Sequence, residues 1–364
     1  MDTFDIFLAT PPGLEPALHR EALEAGFSSA TPAAGGVTIQ GGWEDVWRAN
    51  LVLRGANRVL VRFAEFRAFH LAQLDKRAKK LDWGAILPKG AEVRIDVTCR
   101  NSKIYHDRAA RARVAGAIEH WGGKVSAEAA TRIQVRIEDD LVTFSIDSSG
   151  ELLHKRGYKE ATGKAPLRET LAALFLRECG FAGQMPVVDP MCGSGTFVIE
   201  AARWAAGLPA AGDRSFAFES FPNFDAKRFT DLRAAITRAP VDLLFAGSDR
   251  DDGAIRGATA NAKRAGVDDI CRFERAAVSD LKRPDGPPGL VMVNPPYGAR
   301  IGNRKLLFGL YGAFGTVLQE RFAGWQLGMV TSDGGLAKAT GLSLTAGPPI
   351  AFGGLSVKLY QTRL

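Results

Sequence analysis

The chain has 364 residues, 46% hydrophobic and 24% charged, which at roughly 150 residues per domain predicts two or three globular domains and excludes global disorder. Forty glycines with no Gly-X-Y period mark turns and close backbone approaches, and exclude a fibrous protein. A formal charge of +7 is compatible with an anionic partner but does not demand one.

In chain order, residues 4–10 read as a short apolar strand, 14–26 as a helix, 35–40 as a strand, 43–51 as a helix and 59–66 as a strand. A helix from 71 to about 86 follows, then a strand at 92–98, a helix at 107–121 and strands at 131–138 and 141–147. This antiparallel-compatible order predicts an α+β region over residues 1–150. The pattern then changes. Apolar strands at 186–189, 243–249, 272–275, 290–294 and 326–331 alternate with helices over 151–364, which predicts a mostly parallel sheet covered on both faces. An insertion of about 205–240 interrupts the first crossover. Segments 348–352 and 356–362, joined at Gly353-Gly354, read as a closing antiparallel hairpin.

Cys99, Cys179, Cys192 and Cys271 are scattered, with no C-x-x-C pair and no histidine at ligand spacing, so neither disulfides nor a metal site is expected. No run reaches 18 apolar residues, and the start carries no cationic segment followed by an apolar one. No membrane association and a cytoplasmic location are the expectation. The oligomeric state is not legible.

The first parallel strand runs into Asp189-Pro190-Met191-Cys192-Gly193-Ser194-Gly195-Thr196 and then a helix. A glycine loop there lets a ligand approach the backbone closely, at a helix end that favours negative charge. The string lacks the lysine of a phosphate loop, and Val198 replaces the third glycine of a dinucleotide fingerprint. A turn made only for packing would also account for G-x-G. Asp249 ends the second strand, where an acid either accepts ribose hydroxyls or caps the next helix. Asp280 follows the third strand.

Asn294-Pro295-Pro296-Tyr297-Gly298 after the fourth strand is the most specific string. Two prolines remove two backbone donors and stiffen the turn, leaving the Asn294 side-chain oxygen and the Pro295 carbonyl as acceptors beside an aromatic face. Such a pocket suits a planar amino group, held in plane while Tyr297 stacks on its ring.

These strings together resemble the class I S-adenosylmethionine-dependent methyltransferases that modify amino groups, and more narrowly the THUMP-containing RNA guanine-N2 methyltransferases. His154-Lys155-Arg156-Gly157-Tyr158, Ala165-Pro166-Leu167-Arg168-Glu169-Thr170-Leu171, Phe216-Ala217-Phe218-Glu219 and Gly13-Leu14-Glu15 match the narrower family. The resemblance implies a Rossmann-like methyltransferase domain behind a ferredoxin-like and THUMP region that binds RNA. It implies that Asp189, Met191, Cys192, Gly193, Gly195 and Thr196 line the methionine end of S-adenosylmethionine. Asp249 would bind the ribose, Asp280 the adenine amine, Asn294, Pro295, Pro296 and Tyr297 the target base, and the segment 162–169 would lie over the cofactor. By resemblance to the stand-alone bacterial form, 23S ribosomal RNA is the favoured substrate. A transfer RNA guanine is the main rival; an adenine-N6 DNA or glutamine-N5 protein methyltransferase, or a non-catalytic RNA-binding protein, is less favoured.

Between Arg100 and Arg136 eight basic residues face three acids, and Lys103, Arg108 and Arg111 gather at the start of the predicted 107–121 helix. A basic helix is commonly only a solvated face. The resemblance makes these three the candidate RNA contacts.

Overall fold

The structure, a computed structural model, describes residues 3–160, 167–297, 304–352 and 354–364. Residues 162–166 of the segment expected over the cofactor, Gly298 of the proline turn and Gly353 of the last turn lie outside the described residues.

The elements run β1 (Phe4–Ala9), α1 (Glu15–Glu24), β2 (Thr31–Ala33), β3 (Gly36–Gly41), α2 (Trp43–Val52), β4 (Arg58–Arg67), α3 (Leu71–Ala78), β5 (Glu92–Arg100), α4 (Asp107–Trp121), β6 (Lys124–Val125), β7 (Thr131–Glu138) and β8 (Leu141–Asp147). They continue as α5 (Glu169–Glu178), β9 (Val187–Asp189), α6 (Thr196–Ala205), α7 (Ala226–Ala234), β10 (Phe245–Asp249), α8 (Asp252–Arg264), β11 (Cys271–Arg275) and β12 (Leu290–Val293). The last are α9 (Arg304–Arg321), β13 (Gln326–Thr331), α10 (Gly334–Ala339), β14 (Thr345–Ala346), β15 (Ile350–Phe352) and β16 (Leu355–Arg363). No helix of the described residues is long and apolar enough to cross a membrane.

Two units divide the chain. Unit 1 comprises Met1–Thr10, Ala22–Leu153 and Arg214–Ala235; unit 2 comprises Pro11–Glu21, His154–Asp213 and Ile236–Leu364. Unit 1 is built on a sheet of order β2-β3-β1-β4-β8-β7-β5-β6. The antiparallel expectation holds for most of it, but β5 pairs in parallel with both β6 and β7, so the sheet is mixed. β7 alternates buried and partly exposed residues, and α4 buries Ala110, Val114, Ala117 and Ile118, a spacing that keeps one helical face apolar. The helix expected to reach about residue 86 ends at Ala78. Its chain then turns so that Trp83 buries its ring and donates its indole N–H to the Ala78 carbonyl (3.1 Å).

Residues Arg214–Ala235, in the expected insertion, belong to unit 1 because of their aromatics. Phe218 stacks on Phe216 at 4.9 Å and meets Phe229 edge-on at 5.0 Å, while Trp47 of α2 packs against Phe224 at 5.7 Å.

Unit 2 has the sheet order β11-β10-β9-β12-β13-β16-β14, parallel from β11 to β13 and antiparallel at β16 and β14. All four residues of β12 and all three of β9 are buried, as a sheet covered on both faces requires. The closing hairpin forms, with β15 on β16, but β16 also reaches inward to pair with β13. The chain leaves β9 toward β10 on one side and returns to β12 on the other. That reversal opens a crevice at the C-terminal ends of β9, β10 and β12, where open α/β sheets bind ligands.

Candidate active site

The glycine loop starts at the C-terminal end of β9. Asp189, its last residue, is buried and accepts the Met191 N–H (3.1 Å) on Oδ1. Burial pushes its carboxyl up to about 8; the Met191 N–H opposes the rise and the nearby Asp249 charge adds to it. The loop is tied to the neighbouring strand by the Cys192 N–H, which donates to the Ser248 carbonyl (2.9 Å), and closes through the Gly195 N–H to the Cys192 carbonyl (2.8 Å). Cys192 is buried and its thiol is raised well above its ordinary value, first by burial and then by Asp189 and Asp249, so it is held as an inert thiol.

Two glycines here are demanded by geometry. Gly195 has φ +78°, and a Cβ there would lie 3.0 Å from the Phe273 ring and 3.1 Å from Ala258. Gly247 on β10 has no room either, with Phe273 at 2.7 Å and Cys192 at 3.0 Å from the built Cβ. The loop therefore lies directly on β10 and β11. Thr196 begins α6, and its hydroxyl accepts from Lys159 Nζ at 2.9 Å; the same ammonium donates to the Leu167 carbonyl (2.7 Å).

Asp249 does not cap α8. Asp251 does, accepting from the N–H groups of Gly253 (2.7 Å) and Ala254 (3.3 Å). Asp249 instead clamps two turns, with Oδ2 on the Gly193 N–H (3.1 Å) and Oδ1 on the Asp251 N–H (3.0 Å). Each oxygen keeps a lone pair for a ligand. Asp280 ends a short 3-10 turn, Val278–Asp280; it is exposed and takes no part in this network among the described residues.

Asn294 follows β12 directly, and β12 lies next to β9 with Val291 opposite Val188. Asn294 and Tyr297 are half-buried, yet Asn294 Oδ1 and the Tyr297 hydroxyl are fully buried atoms with no hydrogen-bond partner among the described residues. Burial pushes the Tyr297 phenol up to about 12, so it remains a neutral donor. Ser248 Oγ is a third buried orphan on the neighbouring β10. Leaving such groups unpaired is costly unless a ligand satisfies them.

The RMKL-like methyltransferase domain model matches residues 156–359, more than half of the chain. The chain belongs to the RMKL-like methyltransferase family. The RlmL ferredoxin-like domain model also matches residues 5–60 of this family member. The ribosomal RNA large subunit methyltransferase K/L of Methylococcus capsulatus is 35% identical over 98% of this chain, which spans 51% of that protein, about half its length. The Synechocystis sp. RNA methyltransferase candidate slr0064 is 31% identical over 98% of this chain and 96% of its own. The crystal structure of SMU.472, a methyltransferase candidate complexed with SAH, superposes with a TM-score of 0.88 at 26% identity, covering 99% of this chain and 98% of that one.

In this RMKL-like methyltransferase, sequence reasoning placed the glycine loop, Asp189, Asp249 and Asn294–Tyr297 at adjoining strand ends, and the structure brings them together there. It missed Ser248, Lys159, Thr331 and Tyr311, whose hydroxyl reaches the Pro296 carbonyl (3.3 Å). Ser248 and Lys159 adjoin quoted strings and were findable by proximity; nothing local marks Tyr311. Lys103, Arg108 and Arg111 are exposed at the start of α4 in unit 1. Among the described residues no group of His, Cys, Asp and Glu could hold a metal.

Proposed function

We propose that this chain uses S-adenosylmethionine to methylate the exocyclic N2 amine of a guanine in structured RNA, with large-subunit ribosomal RNA the favoured substrate and transfer RNA the rival. The observation that carries the reading is the pair of buried atoms, Asn294 Oδ1 and the Tyr297 hydroxyl, which have no hydrogen-bond partner among the described residues, on the turn beside the glycine loop. The names of the relatives support RNA as the substrate class.

The residues fit the cofactor. A loop without side chains at Gly193 and Gly195, the spare lone pairs of Asp249 and the orphan Ser248 Oγ form a polar cradle for an adenosine and an amino-acid end. In this reading Asp189, Met191, Cys192, Gly193, Gly195 and Thr196 hold the methionine end, Asp249 the ribose hydroxyls and Asp280 the adenine amine. When bound, S-adenosylmethionine supplies a methyl group on a sulfonium whose departing thioether is neutral, and the methylated amine then gives up its extra, acidic proton to solvent, so no general base is required.

The protein's part is then positioning. Asn294 Oδ1 and the Pro295 carbonyl accept the two N–H bonds of the guanine amine, fix it in plane and aim its lone pair. They also stabilise positive charge that grows on the nitrogen in the transition state. Tyr297 lies against the base, and the two prolines hold the turn stiff. At neutral pH Asp189 is largely protonated before ligand binding, which suits a polar wall more than a proton acceptor.

Tritium transfer from labelled S-adenosylmethionine to total RNA from a strain lacking this protein tests the reading. N2-methylguanosine in the large ribosomal RNA is the expected product. Label in transfer RNA would change the substrate and keep the enzyme, and label in no RNA would overturn the proposal.

A further inference from the structure

We propose that Phe69, Tyr105 and His106, flanked by Lys103, Arg108 and Arg111, form a platform in unit 1 on which unpaired RNA bases stack. The inference rests on the RNA reading above and deepens it: the substrate is gripped by a single-stranded segment as well as by its phosphates.

Exposure is the first support. Tyr105 is 71% exposed and Phe69 42% exposed, although neither lines the core of a unit otherwise rich in buried aromatics. Two of the rings are also paired. Tyr105 and His106 lie with centroids 4.1 Å apart, and Lys103, two residues before Tyr105, places its Nζ 5.0 Å above the Phe69 ring.

The platform is held in place before any ligand arrives. Ser102 Oγ donates to the Arg100 carbonyl (2.6 Å) and accepts the Asp140 N–H (3.1 Å), and Asp140 Oδ1 accepts the Lys103 N–H (2.7 Å). Asp107 Oδ1 takes the Cys99 N–H (2.8 Å), and Ile104 is buried between Lys103 and Tyr105. On the other side the Phe69 N–H donates to Gln73 Oε1 (2.8 Å), while His70 Nδ1 accepts the Gln73 N–H (3.4 Å). Rings presented on pinned backbone lose little freedom on binding.

The chemistry of the patch selects its occupant. Exposed Lys103, Arg108 and Arg111 match a polyanion, and aromatic faces match bases whose own faces are open. A duplex hides those faces in its stack, so the platform fits single-stranded RNA, a loop or an end.

Fluorescence anisotropy of the full chain with labelled oligoadenylate, and with a blunt duplex RNA, tests this. Tyr105→Ala is expected to weaken oligoadenylate binding about tenfold, to leave duplex binding alone, and to leave the slope of affinity against salt unchanged. Tyr105→Trp should keep wild-type affinity, whereas Arg108→Ala should flatten the salt slope for both RNAs. Because Tyr105 is exposed, the thermal midpoint of Tyr105→Ala should match wild type, which separates lost stacking from lost folding. Unchanged oligoadenylate affinity in Tyr105→Ala, or an equal loss on the duplex, would overturn the platform alone. A wild-type chain that binds S-adenosylhomocysteine but neither RNA would overturn the RNA reading along with it.

Discussion

The Tyr311 hydroxyl lies 3.3 Å from the Pro296 carbonyl oxygen, so a fully buried side chain of α9 holds the turn that carries Asn294 and Tyr297. The same hydroxyl is 3.4 Å from Thr331 Oγ1, which accepts the Asp333 N–H at 3.2 Å. A carbonyl can only accept, so Tyr311 gives its one proton to Pro296 and receives that of Thr331. The chain of bonds ends on the proline turn. Tyr311→Phe is expected to lower kcat by about two- to tenfold, the worth of one net hydrogen bond of roughly 0.5–1.5 kcal/mol, with KM for S-adenosylmethionine unchanged. An unchanged kcat would mean that the prolines alone hold the turn.

Asn294→Ala removes the orphan acceptor and nothing from the glycine loop. The transfer rate should fall by about a hundredfold or more, as for loss of one preorganised polar group at a transition state. Calorimetry should find S-adenosylhomocysteine affinity within a few fold of wild type. A rate near wild type would remove Asn294 from the amine pocket.

Asp189 makes stability depend on pH. Its carboxyl is raised from 3.8 to about 8 by burial, so between those values the folded chain keeps a proton that the unfolded chain has lost. The stability contributed by this protonated carboxyl is therefore present below the unfolded value, declines as pH rises through the window and is lost above about 8. Urea midpoints of wild type and Asp189→Asn, compared across that window, should converge at the acid end and separate at the alkaline end in favour of the variant. Parallel midpoint curves would show that Asp189 does not carry this proton.

Gly195→Ala combines a left-handed backbone with crowding, because φ is +78° and the new Cβ meets Phe273 at 3.0 Å. Gly266 is a control in the same unit, with φ +69° and nothing within 4 Å of its Cβ. Gly266→Ala should cost about 1–3 kcal/mol of stability from backbone strain alone. Gly195→Ala should cost more and also weaken cofactor binding; equal costs with intact binding would contradict the close approach of loop and sheet.

Much of this was legible in the sequence because it was periodic or locally spelled. α4, β7, β8 and β13 span the predicted 107–121, 131–138, 141–147 and 326–331; α4 has a clear helical face, β7 and β8 alternate in sequence, and β13 is a short run buried on both faces. β2 and β6 escaped notice because three- and two-residue strands carry no pattern. The parallel pairing of β5 with β7 is a property of the sheet and of no single strand. In the site, Asp189, the glycine loop and Asn294–Tyr297 are contiguous strings whose residue types state their geometry. Tyr311 and Thr331 reach that turn from an adjoining helix and strand, so only the folded packing reveals their part. Asp249 is a mixed case: its place at a strand tip was legible, but its bonds to Gly193 and Asp251, which rule out the helix-cap reading, were not.

We propose that the turn carrying Asn294 and Tyr297 positions a guanine N2 amine of RNA for methyl transfer. Mass-spectrometric nucleoside analysis of large-subunit ribosomal RNA from a strain lacking the gene, complemented with wild type or with Asn294→Ala, tests it most directly. N2-methylguanosine is expected to fall in the deletion, to return with wild type and not to return with Asn294→Ala. An N2-methylguanosine level that is the same in all three, in both ribosomal and transfer RNA, would contradict it.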